Sequence, residues 1–395
     1  QGASTFMYDF KQELDTLISG IFQHEAPTPH EIKCACGDMA THRCMDCWLQ
    51  PRLCQSCLLQ AHRSNPLHRI SIWADNYFKK ADLFSLGLVL GLAHEGSAVC
   101  PNLKLGKEPR KVDVVHINGH HTIAIHYCQC PGAGDPILQL CRAGLFPATV
   151  KDPTRIGTVF TFAVLKEFQI HQLTSKKSAY DFCEGLVRHT DMQSPNLGKS
   201  KYNEFLRVSR VWNHLSTLKR SGQLHGIDKL LPHRTSGSTA VRCPACPEEH
   251  FNLASNFIKE EDGTKYINIK WISVDGNHSA RRLKKRHDPN DTALSGGTAY
   301  CVDDDTYQAY LKKVVDSHEV YYIFLIIPPK STCANLSAAK MQNKAKFKNC
   351  EVTGIAGVIC ARHGFIQPGG VADLQLGEKY CNVDYALAGA LRETP

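Results

Sequence analysis

Residues Cys34 to His68 read CACGDMATHRCMDCWLQPRLCQSCLLQAHRSNPLH and place six cysteines and three histidines within thirty-five positions. The ligand pairs are Cys34-x-Cys36, Cys44-x-x-Cys47 and Cys54-x-x-Cys57, followed by His62 and His68. That makes eight candidates, enough for two tetrahedral zinc ions, with His42 left over. Thiolates one or two residues apart on a tight turn reach the same ion at about 2.3 Å without straining the backbone. Four protein ligands leave no open coordination position, so such sites hold a fold and do no chemistry. The other reading of dense cysteine is a disulfide framework. It fits poorly, because no secretory signal is visible and the twelve cysteines elsewhere follow no small-domain pattern.

The order of the pairs resembles the cross-braced B-box type of zinc module, in which first and third pairs share one metal and second and fourth share the other. The resemblance implies Cys34, Cys36, Cys54 and Cys57 around one ion and Cys44, Cys47, His62 and His68 around the second.

A chain of 395 residues is long enough for two or three domains with cores of their own. Hydrophobic residues at 43% and charged residues at 21% sit near globular averages. The longest apolar runs, Leu83 to Ala93 and Val320 to Ile327, fall well short of the roughly 18 residues that span a bilayer, so no membrane partner is expected. Eighteen cysteines argue for a reducing compartment, cytosol or nucleus. The formal charge of +8 permits a polyanionic partner without demanding one.

Outward from the cluster, Phe6, Phe10, Leu14, Leu17 and Ile18 recur at helical spacing before Pro27-Thr28-Pro29, which predicts a short helix on a tether. Four acids and no arginine in that segment exclude a mitochondrial presequence. Val112 to Cys130 reads as a hairpin turned at Asn118-Gly119 and ending in Cys128-x-Cys130. With His94 and Cys100 this pair makes a candidate third zinc site, or else four buried small side chains. Thr154 to Leu165 is strand-like and Leu165 to Thr190 helical, with a further helix around Tyr202 to Ser221. There Lys199, Lys201, Arg207, Arg210, Lys219 and Arg220 interleave with Tyr202, Phe205 and Trp212, either a nucleic-acid face or a solvated one. Cys243-Pro-Ala-Cys246 lies in a turn-rich linker and reads as a structural turn or as half a site shared with distant residues. Tyr266 to Asn277 reads as a core strand ending in Asp275. Arg281, Arg282, Lys284, Lys285 and Arg286 form the densest basic run, a nuclear import signal or DNA-phosphate contact against a plain solvated arm. Cys360-x-x-His363 is a candidate ligand pair at the end of the apolar strand Val352 to Ile359.

Taken in order, the zinc cluster, Pro66-Leu67-His68 with Trp73, Leu86-Gly87-Leu88 to His94, Asn118-Gly119, Cys128-Gln-Cys130, Phe146-Pro147-Ala148-Thr149 and Ser175-Lys176 to Tyr180-Asp181-Phe182 precede a second series. That series is Cys243-Pro-Ala-Cys246-Pro, Asp275-Gly-Asn277, Ser331-Thr332-Cys333, Cys360-Ala-Arg-His363-Gly364 and Gly377-Glu378-Lys379-Tyr380 to Asn382-Val383-Asp384-Tyr385. The chain resembles the fungal Kyakuja-Dileera-Zisupton (KDZ) transposases preceded by their CxC2-like cysteine-cluster domain, over nearly all residues after about 30. It departs from the family at His278-Ser279-Ala280, which stand between Asp-Gly-Asn and the basic pair Arg281-Arg282.

The resemblance implies a multidomain α+β protein: a cross-braced zinc module, a mixed α/β middle region and an incomplete ribonuclease-H-like α/β domain at the C-terminus. The expected divisions are 1–32 helix and tether, 33–70 two-zinc cluster, 71–221 remainder of the cysteine-cluster domain, 222–262 linker and 263–395 start of the transposase domain. It further implies Asp275 as the first acidic ligand of a DNA-cutting site, which uses magnesium or manganese. The second and third acids would lie past Pro395, so this chain is expected to bind transposon ends without cutting them. Asp384 is expected to cap the helix Asp384 to Leu391. DNA, and the chain itself as an oligomer, are the expected partners, zinc the structural cofactor and the nucleus the expected compartment.

Overall fold

The computed structural model describes residues 3–25, 33–74, 77–95, 98–191, 200–253, 265–284, 292–295, 299–314, 349–375, 377 and 379–392. Of the residues singled out above, Pro27 and Pro29, Lys199, Lys285, Arg286, Val320 to Ile327, Ser331 to Cys333 and Glu378 lie outside these. The chain divides into two compact units, 1–210 and 211–395.

Unit 1 opens with helices α1 (Ala3–Gln12) and α2 (Leu14–Glu25), two helices where the periodicity predicts one. No residue of α2 is buried. The cysteine cluster then folds around a four-stranded antiparallel sheet, β1 (His42–Cys44), β2 (Arg52–Leu53), β3 (Ile70–Ala74) and β4 (Tyr77–Ala81) in the order β2-β1-β3-β4. Helix α3 (Gln55–Ala61) joins β2 to the last two ligands. A second, five-stranded sheet is built from β5 (Val89–Gly91), β6 (Arg110–His116), β7 (Gly119–His126), β8 (Leu145–Pro147) and β9 (Thr158–Thr161), in the order β5-β7-β6-β9-β8. β6 and β7 are the expected hairpin, but His116 pairs with Gly119, so the turn is Ile117-Asn118, one residue earlier than the dipeptide suggests. Gly119 is needed there: its φ is +124°, and a Cβ would lie 2.7 Å from Thr190 Oγ1.

One apolar core joins the two sheets, since Cys44, Leu58 and Ile70 from the cysteine cluster pack with Val112, Val114, Ile123 and Val159 from the second sheet. Helix α4 (Pro136–Arg142), N-capped by Asp135, adds Leu140 to it. The stretch from Thr154 to Thr190 opens in a 3-10 turn (Pro153–Arg155) and is a strand only from Thr158 to Thr161, whose hydroxyl caps α5 (Phe162–Ser175) by accepting from Val164 N. Lys176 in the left-handed conformation ends α5, and Ser178 caps α6 (Ala179–Thr190), so the single helix expected here is two. In α7 (Tyr202–Arg220), Phe205 is fully buried against Phe160, Phe168 and Phe182, with ring centroids 4.9 to 5.6 Å apart. Its aromatic is core, not a stacking platform.

In unit 2 a short helix α8 (Ile227–Leu230) precedes the Cys243-Cys246 turn. Strand β10 (Ile272–Asn277) begins later than expected. Ile267, Ile269 and Trp271 are exposed, and Asp275 is fourth of six residues rather than last. β11 (Arg282–Leu283) pairs with β12 (Cys350–Val352), and α9 (Asp304–Lys313) is capped by Asp303. β10, β13 (Gly354–Cys360) and β14 (Ile366–Leu374) form an antiparallel sheet in that order. Helix α10 (Tyr380–Arg392) lies on one face through its small residues. A Cβ on Gly389 would sit 2.1 Å from Gly369 O, so only glycine lets the helix approach this closely. α10 starts at Tyr380, which puts Asp384 at its fifth residue. Asp384 is therefore not the N-cap, because the helical turn opened by Lys379, whose carbonyl accepts from Asn382 N, already precedes it.

Candidate metal centres

Four groups of cysteine and histidine bring their ligand atoms within 4.8 Å of one another, and they are built by different means. Around an ion about 2.3 Å from each sulfur, tetrahedral geometry separates the ligand atoms by about 3.8 Å.

The first gathers Cys34, Cys36, Cys54 and Cys57. The knuckle at Cys34 closes through Cys34 N to Asp38 O and Gly37 N to Cys34 O, both 2.8 Å, with Gly37 at φ +98°. Cys36 and Cys54 sulfurs are 3.5 Å apart. The second gathers Cys44, Cys47, His62 and His68, with Cys47 Sγ 3.5 Å from His62 Nε2 and 3.4 Å from His68 Nδ1. His62 Nδ1 donates to Leu58 O at 2.8 Å, which fixes the tautomer and aims Nε2 at the thiolates. First with third and second with fourth pairs thus converge. His42, buried beside Thr41, belongs to neither group.

The third gathers His94, Cys100, Cys128 and Cys130, the last two just past the end of β7. Cys100 lies 3.8 Å from Cys128 and 3.7 Å from Cys130, and His94 Nε2 lies 3.1 Å from Cys128. Gln139 on α4, 2% exposed, holds this turn: its Oε1 accepts from Cys128 N at 2.8 Å and its Nε2 donates to Cys128 O at 3.1 Å. Asn102 Nδ2 donates to Cys130 Sγ at 3.1 Å. Neither residue stands out in the sequence, because a lone amide side chain has no spacing signature.

The fourth lies in unit 2 and joins two motifs that were read separately. Cys243 Sγ is 3.4 Å from His363 Nδ1, Cys360 Sγ is 3.7 Å from the same nitrogen, and Cys246 Sγ is 3.3 Å from Cys360 Sγ. Asn252 Nδ2 donates to Pro244 O and Cys246 O, and buried Glu248 binds Arg234 and His233, which sets the shape of the Cys243-Cys246 turn. Glu248 Oε1 accepts at 2.7 Å from Arg234 Nε. Cys360 pairs with Ile272 and Ala361 N donates to Trp271 O, so the cluster sits on the first residues of β10.

The electrostatics repeat across three of these groups. Backbone amides of Cys36 and Cys54 draw the Cys34 thiol down to about 6, while Cys57, crowded by Cys54, Cys36 and Cys34, is pushed up to about 12. The amide of Gln129 draws Cys100 to about 6, and Cys128 and Cys100 push Cys130 to about 11. Burial raises Cys360, but the Cys246 thiol and the amides of His363 and Arg362 outweigh it and leave it at about 6. Burial and then Cys360 push Cys246 to about 12. Within each set one thiol is drawn down and another pushed up, a conflict that a divalent cation removes. Sulfur and imidazole donors suit zinc and not magnesium or manganese, which take oxygen.

Asp275 stands apart. It faces Gly357 across the ladder, on the side of the sheet away from Val274 and Ile272, which pack toward α10. Among the described residues it joins no metal-ligand group. Asp373 is on the same face but opposite Ile355, and Arg282 holds it at 3.1 Å. Arg282 also reaches Glu351 at 3.3 Å, so this member of the basic run is committed to carboxylates. Lys201 is likewise paired, with Asp113 at 3.2 Å, while Arg207, Lys219 and Arg220 are exposed on α7. No helix among the described residues is long and apolar enough to cross a membrane.

Two family profiles match the chain. Residues 83–194 match the CxC2 like cysteine cluster associated with KDZ transposases, and residues 269–395 match the Kyakuja-Dileera-Zisupton transposase. No curated protein and no solved structure matches.

Proposed function

We infer, for a chain that belongs to the KDZ transposases and carries their CxC2-like cysteine cluster, a DNA-binding role in the nucleus, with unit 1 held by three zinc ions and unit 2 forming the first part of a ribonuclease-H-like catalytic domain. The observation that carries the catalytic half is the position of Asp275. It lies on the first of three antiparallel strands that are followed by a helix packed on the opposite face. In a ribonuclease-H-like fold the second carboxylate comes from the strand after that first main helix. β10 is an edge strand among the described residues, which leaves a side on which such a strand can pair.

Cutting and joining DNA by this chemistry needs two divalent ions about 3.5 to 4 Å apart. Asp275 alone would hold magnesium weakly, since that ion keeps its waters unless carboxylates and phosphates replace them. Residues 1–395 therefore bind DNA without nicking it. Metal-dependent cleavage of DNA bearing the element's own ends, assayed with this chain and with a C-terminally extended one, tests the reading. Only the longer chain should cut, and Asp275→Ala should abolish it. Cleavage by residues 1–395 that Asp275→Ala and Asp384→Ala each remove would sink it and make Asp384 the second ligand.

A second reading, a zinc-stabilised binding protein without catalysis, is favoured by the absence of any carboxylate grouped with Asp275 among the described residues. Both readings expect DNA affinity that falls steeply with salt, because phosphate contacts release counterions. They part on the extended chain, which under the second reading binds and never cuts.

A further inference from the structure

Where the cysteine cluster meets the second sheet of unit 1, a cleft of about 610 Å³ opens between mostly apolar walls. Leu92 and Leu145 lie deep in it, almost fully buried, whereas Leu67 and Phe162 are only half-buried. Arg63, just past α3, and Arg142, the last residue of α4, line it and are exposed, and no carboxylate lines it. Neither arginine has an ion-pair partner among the described residues. A bare anion gains nothing from leucine walls, and a purely apolar ligand leaves both guanidiniums unanswered. The match is an apolar stripe with acids along its edges.

The chain carries such a stripe. In α2, Leu14, Leu17, Ile18 and Ile21 recur at the spacing of one helix face and are 43% to 57% exposed. A helix turns about 100° per residue, which puts Asp15 on one flank of the stripe and Glu13, whose carbonyl accepts from Leu17 N, on the other. Neither acid has a partner cation among the described residues. We propose that α2 of a second copy lies in this cleft, its leucine and isoleucine side chains against Leu67 and Phe162 and its two acids against Arg63 and Arg142. The chain's own α2 is engaged elsewhere: Arg43 Nη1 on β1 donates to Glu25 O at its end, at 3.4 Å, and no residue of α2 lines the cleft. Given and taken reciprocally, the helices close a two-fold pair and start no filament. Nothing in this pairing depends on the DNA-binding reading.

The test is sedimentation equilibrium of the zinc-loaded full chain at rising concentration, which should show a reversible dimer. Leu17→Asp with Ile21→Asp, both at exposed positions, should weaken it about 30-fold or more, the loss that marks an anchor of an interface. Zinc content should not change, which separates loss of a contact from loss of the fold. Arg63→Glu with Arg142→Glu should weaken the dimer, and so, in a separate chain, should Glu13→Arg with Asp15→Arg. Mixing these two chains should restore association, because each helix then meets a cleft of opposite charge on its neighbour. A chain that stays monomeric at every soluble concentration overturns the proposal, as does a dimer indifferent to Leu17→Asp with Ile21→Asp. Mixed chains that fail to associate, beside an unaltered monomer whose α2 amides resist exchange, would give the cleft to the chain's own helix and remove the second copy.

Discussion

The two units hold their metal-ligand clusters in opposite ways. In unit 1 the first two clusters draw all eight ligands from thirty-five residues, and their sheet shares one core with the next. In unit 2 the one cluster among the described residues ties Cys246 to Cys360 and Cys243 to His363, across 114 and 120 residues. A cross-link over a short loop mostly shapes local turns, whereas one that closes a long loop removes more conformational freedom from the unfolded chain. The difference teaches that cysteine and histidine donors can either build a module or clamp one already built.

The largest expected effect tests the building role. Structural zinc contributes on the order of 10 to 16 kcal/mol of folding free energy in small modules. Cys44 is fully buried in the core that joins both sheets of unit 1. Cys44→Ser should therefore unfold unit 1 and drop zinc from about four per chain to one, measured by elemental analysis beside circular dichroism. His42→Ala should leave all four. Loss of metal in that variant would mean the wrong histidine was chosen.

The clamp should fail more gently. Cys246→Ser should lower the metal content by about one ion, and amide exchange should speed up along the start of β10 and the end of β13, where Cys360 pairs with Ile272. Unit 1 should keep its protection. Equal loss in both units would erase the contrast.

A smaller effect falls on the third cluster. Gln139→Leu leaves the Cys128 amide and carbonyl unpaired, and altering a partner of the ligands typically weakens metal affinity about 10- to 100-fold. Competition with a chelator measures it. Unchanged affinity would reduce Gln139 to packing.

The smallest concerns the support of the clamp. Burial raises the Glu248 carboxyl, but Arg234 and His233 outweigh it and hold it below the usual carboxylate range. A depressed carboxylate stabilises the fold above its unfolded value, about 4.3, and that stability is lost as pH falls through the lower folded value. Glu248→Gln should flatten the acid limb of unit 2 unfolding, followed by fluorescence. An unchanged acid limb would rule out this pair as its source.

The contrast also explains what could be read from the sequence. Cys34 to His68 was legible because turn geometry ties ligand spacing to local structure. Cys243-Cys246 and Cys360-His363 each showed as half a site, yet nothing local says that they meet, since β13 and β10 must first pair. Gln139 was silent, because a single amide has no pattern until its neighbours are placed. Lys201 and Phe205 read as part of either a nucleic-acid face or a solvated one, but helical spacing does not say which side faces solvent. Phe205 went to the core and Lys201 to Asp113.

One residue opposite Asp275 carries a last consequence. Gly357 has no positive φ, and a Cβ placed on it would meet nothing within 4 Å. Neither conformation nor crowding calls for glycine at the middle of β13, where its backbone freedom weakens a strand by about 0.5 to 1 kcal/mol relative to alanine. Gly357→Ala should make unit 2 sturdier by about that amount. What the glycine leaves beside the carboxylate is a strip of bare backbone, which a methyl group would cover.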